Sequence, residues 1–163
     1  MSNYKGDDRK EAHFTTDELI DEMFDLLKKY YEGDITEYLE NSAGDGRICD
    51  RFDKPYIAFD IESRRDDIKE CNYLKEKIEY KEGRVCVMNP PFQKGLKFLY
   101  KALKECDYVV SILSQNSLLN IDYDKVWCDE IQLWRKYDFG TCKTGIIVVA
   151  CRNKKDTDKY EYE

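Results

Sequence analysis

Histidine and paired cysteines are scarce in this chain of 163 residues, which has one histidine and seven cysteines. The cysteines stand at positions 49, 71, 86, 106, 128, 142 and 151, and no two of them have the Cys-x-x-Cys spacing. Zinc is held mostly by such pairs and by histidines, so we expect no metal site. The odd count and the mostly apolar surroundings favour free thiols in a reducing, cytoplasmic setting.

Long hydrophobic runs are also absent. No segment approaches the roughly 18 apolar residues of a membrane span, and the amino terminus lacks the basic-then-apolar pattern of a secretory signal. We therefore expect no membrane association. The sequence shows no internal repeat that would indicate a solenoid or propeller.

Basic residues are outnumbered, with 27 Lys and Arg against 34 Asp and Glu and a net charge of -7. A protein of this charge has no bulk attraction for a polyanion. The balance argues against a stand-alone DNA binder with high non-specific affinity. It leaves room for a local basic face.

The length suits a single domain with one hydrophobic core. Residues 1–12 are polar and predict a flexible amino-terminal segment. Residues 13–152 contain the apolar elements of the domain, and residues 153–163 form a charged tail. We expect the tail to be frayed or to contact a partner.

Periodicity predicts alternating helices and strands within the domain. Helical spacing of apolar residues predicts helices over 15–31, 96–106 and 122–137. Apolar runs predict strands over 35–41, 56–62, 85–88, 108–113 and 144–151. A capping box of Thr15 and Glu18 is expected to begin the first helix. The charged segment 63–70 predicts a short solvated helix, and the shortness of 63–84 leaves room for a vestigial third strand. The alternation argues for a three-layer α/β sheet.

The apolar strand over 85–88 ends abruptly in Asn89, Pro90, Pro91 and Phe92. The two prolines prevent both continuation of the strand and an immediate helix. The side chains of Asn89 and Phe92 are therefore expected in a rigid turn at the carboxyl edge of the sheet, where α/β folds bind their ligands. An ordinary strand end with a Pro-Pro loop and a polar cap is the alternative interpretation.

Residues 40–46 read Glu-Asn-Ser-Ala-Gly-Asp-Gly between a predicted strand and a short predicted helix. Two glycines separated by one residue permit a tight turn and a close approach of the backbone to a ligand. A phosphate loop is excluded because no Gly-Lys-Ser/Thr follows. Asp60 lies 14 residues after Gly46, at the end of the next strand, where a carboxylate can bind a ribose diol. A surface acid at a strand end is the alternative.

The Asn-Pro-Pro-Phe element at 89–92 resembles the signature of amino-group methyltransferases that use S-adenosylmethionine, especially the N6-adenine DNA enzymes. The segment 40–46 is similar to the cofactor loop of the same family, which is usually written Ser-Ala-Gly-x-Gly. The resemblance covers roughly residues 12–152. It implies a three-layer Rossmann-like class I methyltransferase fold, with a mostly parallel seven-stranded sheet and one antiparallel strand near the end.

The resemblance also implies S-adenosylmethionine as cofactor, with S-adenosylhomocysteine as product. Phe14, Thr15 and Thr16 loosely match a Phe-x-Thr-Pro-like segment of the family, without the proline, and Phe14 and Thr15 would touch the methionine part of the cofactor. A plain helix cap explains these residues at least as well. Glu40 would pair with the cofactor ammonium group, and Asp60 would bind the ribose. The other implied cofactor contacts are Asn41, Ser42, Ala43, Gly44, Asp45, Gly46, Ile61, Asn72 and Asn89. Asn72 stands where the family usually has an aspartate.

For the target, the resemblance implies catalytic roles for Asn89, Pro90, Pro91 and Phe92. The lone pair of an adenine amine is delocalised into the ring, which makes the nitrogen a poor nucleophile. The Asn89 amide oxygen and the Pro90 carbonyl would each accept one amine hydrogen and favour a more pyramidal nitrogen. Phe92 would stack on the extruded base. Transfer would be direct, without a metal or a covalent protein intermediate.

Several alternatives stay open beside N6-adenine methylation of DNA. The same signature occurs in enzymes that methylate RNA adenine or a protein glutamine. A cofactor-binding but inactive subunit of a larger complex and an unrelated nucleotide-binding α/β domain are further candidates. The family usually carries a carboxyl-terminal target-recognition domain, and none follows here, so specificity would depend on a separate subunit or on a homodimer.

Overall fold

The strands of this protein form one mixed sheet that separates two layers of helix and loop. The computed structural model describes residues 15–138 and 143–156, without the side chains of 136–138, 143–144 and 156. The predicted flexible segment 1–12, Phe14 and the tail beyond residue 156 lie outside the described residues. Two α-helices are described, α1 (Asp17–Tyr30) and α2 (Gly95–Glu105).

The described strands are β1 (Glu37–Glu40), β2 (Tyr56–Asp60), β3 (Lys69–Glu70), β4 (Arg84–Met88), β5 (Tyr108–Ser114), β6 (Val126–Asp138) and β7 (Lys143–Asn153). Their order in the sheet is β3-β2-β1-β4-β5-β7-β6. The strand β7 runs antiparallel to both of its neighbours, and the pairs among β1 to β5 are parallel. This confirms the predicted mostly parallel seven-stranded sheet with one antiparallel strand near the end.

The two faces of the sheet bury alternate residues of the same strands, because successive side chains of a strand point to opposite sides. Along β4, Val85 and Val87 join the core cluster beneath α1, whereas Cys86 and Met88 join the cluster beneath α2. All four are fully buried. A strand buried on both faces reads as a continuous apolar run, which is why β4, β5 and β7 could be predicted from the sequence.

The N-cap of the first helix lies one residue later than predicted. Thr16, not Thr15, is the N-cap, and its side chain accepts a hydrogen bond from the backbone N–H of Leu19 at 3.3 Å. Asp17 and Glu18 lie in the first turn, where negative charge is favourable. Thr15 is thereby released from capping and is itself buried.

The predicted helix over 122–137 is wrong, because residues 122–125 form a turn and the long strand β6 (Val126–Asp138) follows. It pairs with β7 in register, for example Ile131 with Val149 and Leu133 with Ile147. Register shifts interrupt the pairing twice along β6. Each shift moves the apolar positions out of strict alternation, so the spacing imitates a helix. Pairing with the buried strand β7 decides the conformation.

Two further predicted helices are replaced by turns. In 63–70, the Ser63 hydroxyl donates to the carbonyls of Arg65 and Ile68 at 2.8 and 2.6 Å, and such local bonds compete with helix formation. The end of this segment forms β3 (Lys69–Glu70), a strand of only two residues, which agrees with the expected vestigial third strand. The helix predicted after the glycine loop is a 3₁₀ turn, Cys49–Arg51.

Within the described ranges, no helix is long and apolar enough to cross a membrane. The same part of the chain contains no group of three or more His, Cys, Asp or Glu side chains placed to hold a metal ion.

Candidate active site

The carboxyl ends of β1, β2 and β4 meet at one edge of the sheet, because these strands are parallel neighbours. The glycine loop follows β1, Asp60 ends β2, and Asn89 follows β4. A small cavity of about 80 Å³ lies at this edge. Its lining residues are Asn41, Ser42, Asp60, Ile61, Cys71, Asn72, Tyr73, Pro91, Lys94 and Phe98. Residues from three predicted site segments therefore surround one cavity.

The glycine loop is bonded directly to the end of β2. Gly44 and Gly46 have φ angles of 57° and 85°, which L residues with side chains rarely adopt. The Gly44 N–H donates to Oδ2 of Asp60 at 2.8 Å, and the Ala43 N–H donates to the Phe59 carbonyl at 2.9 Å. The other carboxylate oxygen of Asp60 accepts from the Glu62 N–H at 2.9 Å. Asp60 is thus held against the loop, with lone pairs left to face the cavity.

An arginine that the sequence pattern did not single out holds the loop from outside. Nη1 of Arg65 donates to the carbonyls of Asp45 and Gly46 at 3.4 and 3.3 Å and to Oδ1 of Asp50 at 2.7 Å. A Cβ atom on Gly46 would lie 2.0 Å from this nitrogen. The positive φ therefore favours glycine at position 46, and a side chain there would also displace the end of the Arg65 side chain from these hydrogen bonds.

Glu40 lies beneath the loop and not on the cavity wall. Its side chain is 1 % exposed, and Oε1 accepts from the Ser42 N–H at 2.9 Å and from the Ser42 hydroxyl at 3.4 Å. Burial raises the pKa of Glu40 to about 8; the hydrogen bonds from Ser42 oppose this rise and the charge of Asp60 adds to it. The carboxyl group is thus poised to change its charge near neutral pH.

Two asparagines line the cavity with their amides already hydrogen-bonded, and Oδ1 of Asn41 accepts from the Ser42 hydroxyl at 3.3 Å. Nδ2 of Asn41 donates to the sulfur of Met88 at 3.0 Å, and this side chain is buried. Oδ1 of Asn72 accepts from the Leu74 N–H at 3.1 Å and caps the 3₁₀ turn Tyr73–Lys75. The position of Asn72 is therefore set by the turn, which places its amide at the cavity edge.

Asn89 is tied to the segment before α1. Its side chain is 6 % exposed, and Nδ2 donates to Oγ1 of Thr15 at 2.8 Å. The Thr15 carbonyl in turn accepts from Nη1 of Arg47 at 3.0 Å. No other described residue donates a hydrogen bond to Oδ1 of Asn89. The amide nitrogen is committed to Thr15, which leaves the oxygen as the atom available to a target amine.

The remainder of the Asn-Pro-Pro-Phe element divides between the cavity and the core. Pro91 is exposed and lines the cavity. Phe92 is half-buried, packs against the core cluster beneath α1, and begins the 3₁₀ turn Phe92–Lys94. One part of the Phe92 ring is therefore anchored while another part remains accessible.

The structure separates the predicted site residues into groups. Asn41, Ser42, Asp60, Ile61 and Asn72 share the cavity with Pro91. Asp45 does not line this cavity, and its carboxylate lies 3.7 Å from the guanidinium of Arg47. Ile61 is 73 % exposed, so it borders the cavity without being packed.

Four cavity residues were not predicted, namely Cys71, Tyr73, Lys94 and Phe98. Tyr73 and Phe98 are buried, with ring centroids 5.2 Å apart, and form an aromatic floor. Their apolar character indicated only a core position. Lys94 follows Phe92 by two residues, and that proximity to the Asn-Pro-Pro-Phe element was the signal available in the sequence.

Comparison with known proteins identifies the fold. No protein-family model matches the sequence, and no curated protein matches it significantly. Solved structures do match. A proposed RNA methyltransferase from Pyrococcus horikoshii aligns over 85 % of this chain and 85 % of its own, with a TM-score of 0.64 and 14 % identity. A dimethyladenosine transferase from Plasmodium falciparum aligns over 90 % of this chain and 65 % of its own, with a TM-score of 0.62 and 14 % identity.

The N-methyltransferase NodS from Bradyrhizobium japonicum, solved with S-adenosyl-L-homocysteine, aligns over 83 % of this chain and 86 % of its own, with a TM-score of 0.58 and 11 % identity. The chain therefore has the Rossmann-like fold of the class I methyltransferases. At these identities the similarity defines the architecture of the protein.

Proposed function

We propose that this protein is an S-adenosylmethionine-dependent methyltransferase that acts on the exocyclic N6 amine of adenine in a nucleic acid. The observation that carries the proposal is the shared cavity at the carboxyl edge of the sheet. Asp60, at the end of β2, and Pro91, of the Asn-Pro-Pro-Phe element, line the same cavity. A cofactor position and a target position are thus adjacent, as direct transfer between two bound molecules requires.

The residues around the cavity suit the polar parts of the cofactor. The Asp60 carboxylate already accepts two backbone hydrogen bonds, which orient it toward a ribose diol. Ser42 and Asn72 offer further polar atoms on the same wall. The volume of about 80 Å³ is smaller than the ~300 Å³ of a full ligand pocket. In this proposal it would hold part of the adenosine moiety, and the amino acid part would lie toward the glycine loop and Glu40.

Asn89 and Pro90 would orient the target amine. Bound S-adenosylmethionine supplies an electrophilic methyl group on a sulfonium. The Asn89 oxygen and the Pro90 carbonyl oxygen would each accept a hydrogen bond from one N–H group of the amine. These two hydrogen bonds would direct the nitrogen lone pair toward the cofactor side of the cavity. Both groups are fixed before the substrate arrives: Asn89 by Thr15 and Pro90 by the two consecutive proline rings. Preorganised acceptors of this kind need no rearrangement during the reaction.

DNA is the substrate that the sequence resemblance favours. RNA is a second candidate because two of the structural neighbours are named for RNA or adenosine methylation. The chain shares their architecture but little of their sequence. In either polymer the adenine must leave its stack to reach the cavity edge, and the partly accessible Phe92 ring offers a surface for it. A separate specificity subunit or a second copy of the chain would supply target recognition.

The proposal is tested by calorimetric titration with S-adenosylmethionine, followed by transfer of a tritiated methyl group to adenine-containing DNA, RNA and protein from an extract. We expect binding of the cofactor and label in nucleic acid, recovered as N6-methyladenine after digestion. Label recovered in glutamine side chains of protein would show that the substrate is a protein and not a nucleic acid. Cofactor binding without turnover on any substrate would identify an inactive subunit, and absence of cofactor binding would refute the proposal.

A further inference from the structure

A second and larger depression, of about 370 Å³, lies at the amino edge of the sheet. It is formed where α2 ends, β6 begins and β7 ends, so it is at the opposite edge from the cavity of Asp60 and Pro91. Its lining residues are Tyr100, Leu103, Lys104, Asp124, Lys125, Val126, Asn153, Lys154 and Lys155. We call it the lysine groove, because four of the nine residues are lysines and one is an acid.

The lysines of the groove are placed by regular structure. Val126 and Asn153 are paired across β6 and β7. The next backbone bond, from the Lys154 N–H to the Lys125 carbonyl, is 2.9 Å long and continues this ladder. Lys125 and Lys154 are thereby adjacent where β6 begins and β7 ends, and Lys104 lies in the last turn of α2 on the wall of the same groove.

The groove reverses the charge balance of the rest of the chain. The whole protein carries a net charge of -7, whereas the groove has four positive side chains and the single acid Asp124 on its wall. Asp122 lies nearby, with a carboxylate oxygen 3.8 Å from the ammonium of Lys125, whose side chain remains 77 % exposed. Several ammonium groups gathered on an acidic protein indicate a binding site for a multivalent anion.

Two exposed aromatic residues lie beside one lysine of the groove, Lys154, although neither of them lines the groove itself. Trp127 is 39 % exposed and Tyr123 is 42 % exposed. The Lys154 ammonium lies 6.0 Å from the centroid of the Trp127 ring and 3.3 Å from the Tyr123 carbonyl. Cationic groups next to accessible aromatic rings are the combination that binds single-stranded nucleic acid, because the cations contact phosphates and the rings stack on bases.

We infer that the lysine groove binds the backbone of a single-stranded nucleic acid, with one or two bases stacked on Trp127 and Tyr123. This inference rests on the proposed function, since it assigns a second contact to the same substrate. Its position at the far edge of the sheet makes it an anchor for a strand outside the transfer site. It gives an acidic protein a means to hold a polyanion.

The test measures fluorescence anisotropy of labelled 12-nucleotide single strands, one RNA and one DNA of the same sequence, without cofactor. The groove variant is Lys104→Ala with Lys155→Ala; no hydrogen bond or ion pair to either side chain is recorded among the described residues. The matched control is Lys28→Ala with Lys54→Ala, which removes the same charge from exposed positions elsewhere. A third variant, Trp127→Ala, removes the exposed ring.

With four phosphate contacts, the slope of log affinity against log salt is expected to be about -2.8, so wild-type affinity falls about 50-fold between 50 and 200 mM salt. The groove variant is expected to halve this slope and to weaken binding at least fivefold at 100 mM salt. The control pair should stay within twofold of wild type. Trp127→Ala should weaken binding about fivefold with the slope unchanged.

Equal affinities of the groove and control variants would overturn the inference, as would a wild-type affinity insensitive to salt. The outcome is independent of the transfer reaction. If the groove variant transfers methyl groups normally and its nucleic-acid affinity is unchanged, the inference about the groove is refuted and the proposed function stands. If nucleic-acid binding depends on the groove but the protein binds no S-adenosylmethionine, the inference about the groove is supported and the proposed function is refuted. Circular dichroism of each variant verifies that it is folded.

Discussion

Asn89 and Thr15 lie 74 residues apart in the chain, and their side chains are joined by a hydrogen bond of 2.8 Å. Both are buried. Thr15 begins the described chain beside α1, and Asn89 follows the central strand β4. The bond fixes the orientation of the Asn89 amide, since the nitrogen is committed to Thr15. A residue before the first helix thus determines which atom the Asn-Pro-Pro-Phe element presents to a target.

Loss of the Asn89 amide is expected to abolish transfer while sparing cofactor binding. Asn89→Ala should lower kcat at least 100-fold, the scale on which one preorganised hydrogen-bonding group contributes to catalysis. The dissociation constant for S-adenosylmethionine should change less than threefold. Thr15→Val should lower kcat about fivefold, because it removes an orienting bond of about 1 kcal/mol. Asn120→Ala, at an exposed site, is the control, and normal transfer by the Asn89 variant would discard the assigned role.

Phe92 is expected to serve the target and not the cofactor. Phe92→Leu keeps an apolar side chain against the core beneath α1 but removes the flat ring face. We expect kcat/KM for an adenine substrate to fall about tenfold, near the ~1–3 kcal/mol of one base stack, with unchanged cofactor affinity. Phe92→Tyr should retain most activity. Equal activities of the leucine and tyrosine variants would remove Phe92 from the site.

Asp60 is expected to bind the cofactor and not to act in transfer. Asp60→Ala should raise the dissociation constant for S-adenosylmethionine at least tenfold, because a hydrogen bond to a charged group contributes about 1.5–3 kcal/mol. Part of the lost affinity would be indirect, because the Gly44 N–H loses its hydrogen-bond acceptor and the glycine loop is then held less firmly. Asp66→Ala, at an exposed residue six positions further on, serves as the comparison in calorimetry. Equal affinities of the two variants would count against the ribose assignment.

The two glycines of the loop should differ in their tolerance of a side chain. Both have positive φ, but a Cβ on Gly46 would also lie 2.0 Å from Nη1 of Arg65. Gly44→Ala should destabilise the protein by about 1–2 kcal/mol, the cost of a left-handed L residue. Gly46→Ala should cost more, and Gly46→Ala in an Arg65→Ala background should recover part of the difference. Urea unfolding compares the wild type with these three variants. Equal midpoints for the two single glycine variants would contradict the predicted clash between a side chain at position 46 and Arg65.

Glu40 should make stability fall as pH rises. Burial raises its folded-state pKa to about 8, whereas the unfolded carboxyl titrates near 4.3. Between these values the folded state holds the proton and the unfolded state does not, so the free energy of unfolding decreases by up to about 1.4 kcal/mol per pH unit. Above pH 8 this contribution is constant.

Glu40→Gln keeps the oxygen that accepts from Ser42 and removes the titration. Its free energy of unfolding, minus that of wild type, should grow from pH 5 to pH 8 and then level off. Glu79→Gln, at an exposed site, should show no such trend. Urea denaturation at pH 5, 6.5, 8 and 9 provides the comparison, and a difference that is independent of pH would refute the raised pKa.

Local chemistry explains which parts of the site could be predicted. The continuous apolar run of β4, the two prolines that end it, and the paired glycines after β1 specify their own backbone. Because parallel strands end at the same edge, the carboxyl ends of β1, β2 and β4 had to meet there. Asp60 and Pro91 could therefore be expected near one cavity from the sequence.

The amino-acid sequence by itself determined the buried strands, the turn at Asn89 and the strand-terminal position of Asp60, because these depend on hydrophobicity and backbone restriction within a few residues. The tertiary structure decided that β6 is a strand, since pairing with β7 outweighs the local pattern. It also decided that Thr15 holds Asn89 and that Arg65 contacts the loop at Gly46. The lysine of α2 and the lysines that flank β6 and β7 line one groove for the same reason. Each of these is a contact between distant segments, and side-chain contacts across such distances follow from packing in three dimensions.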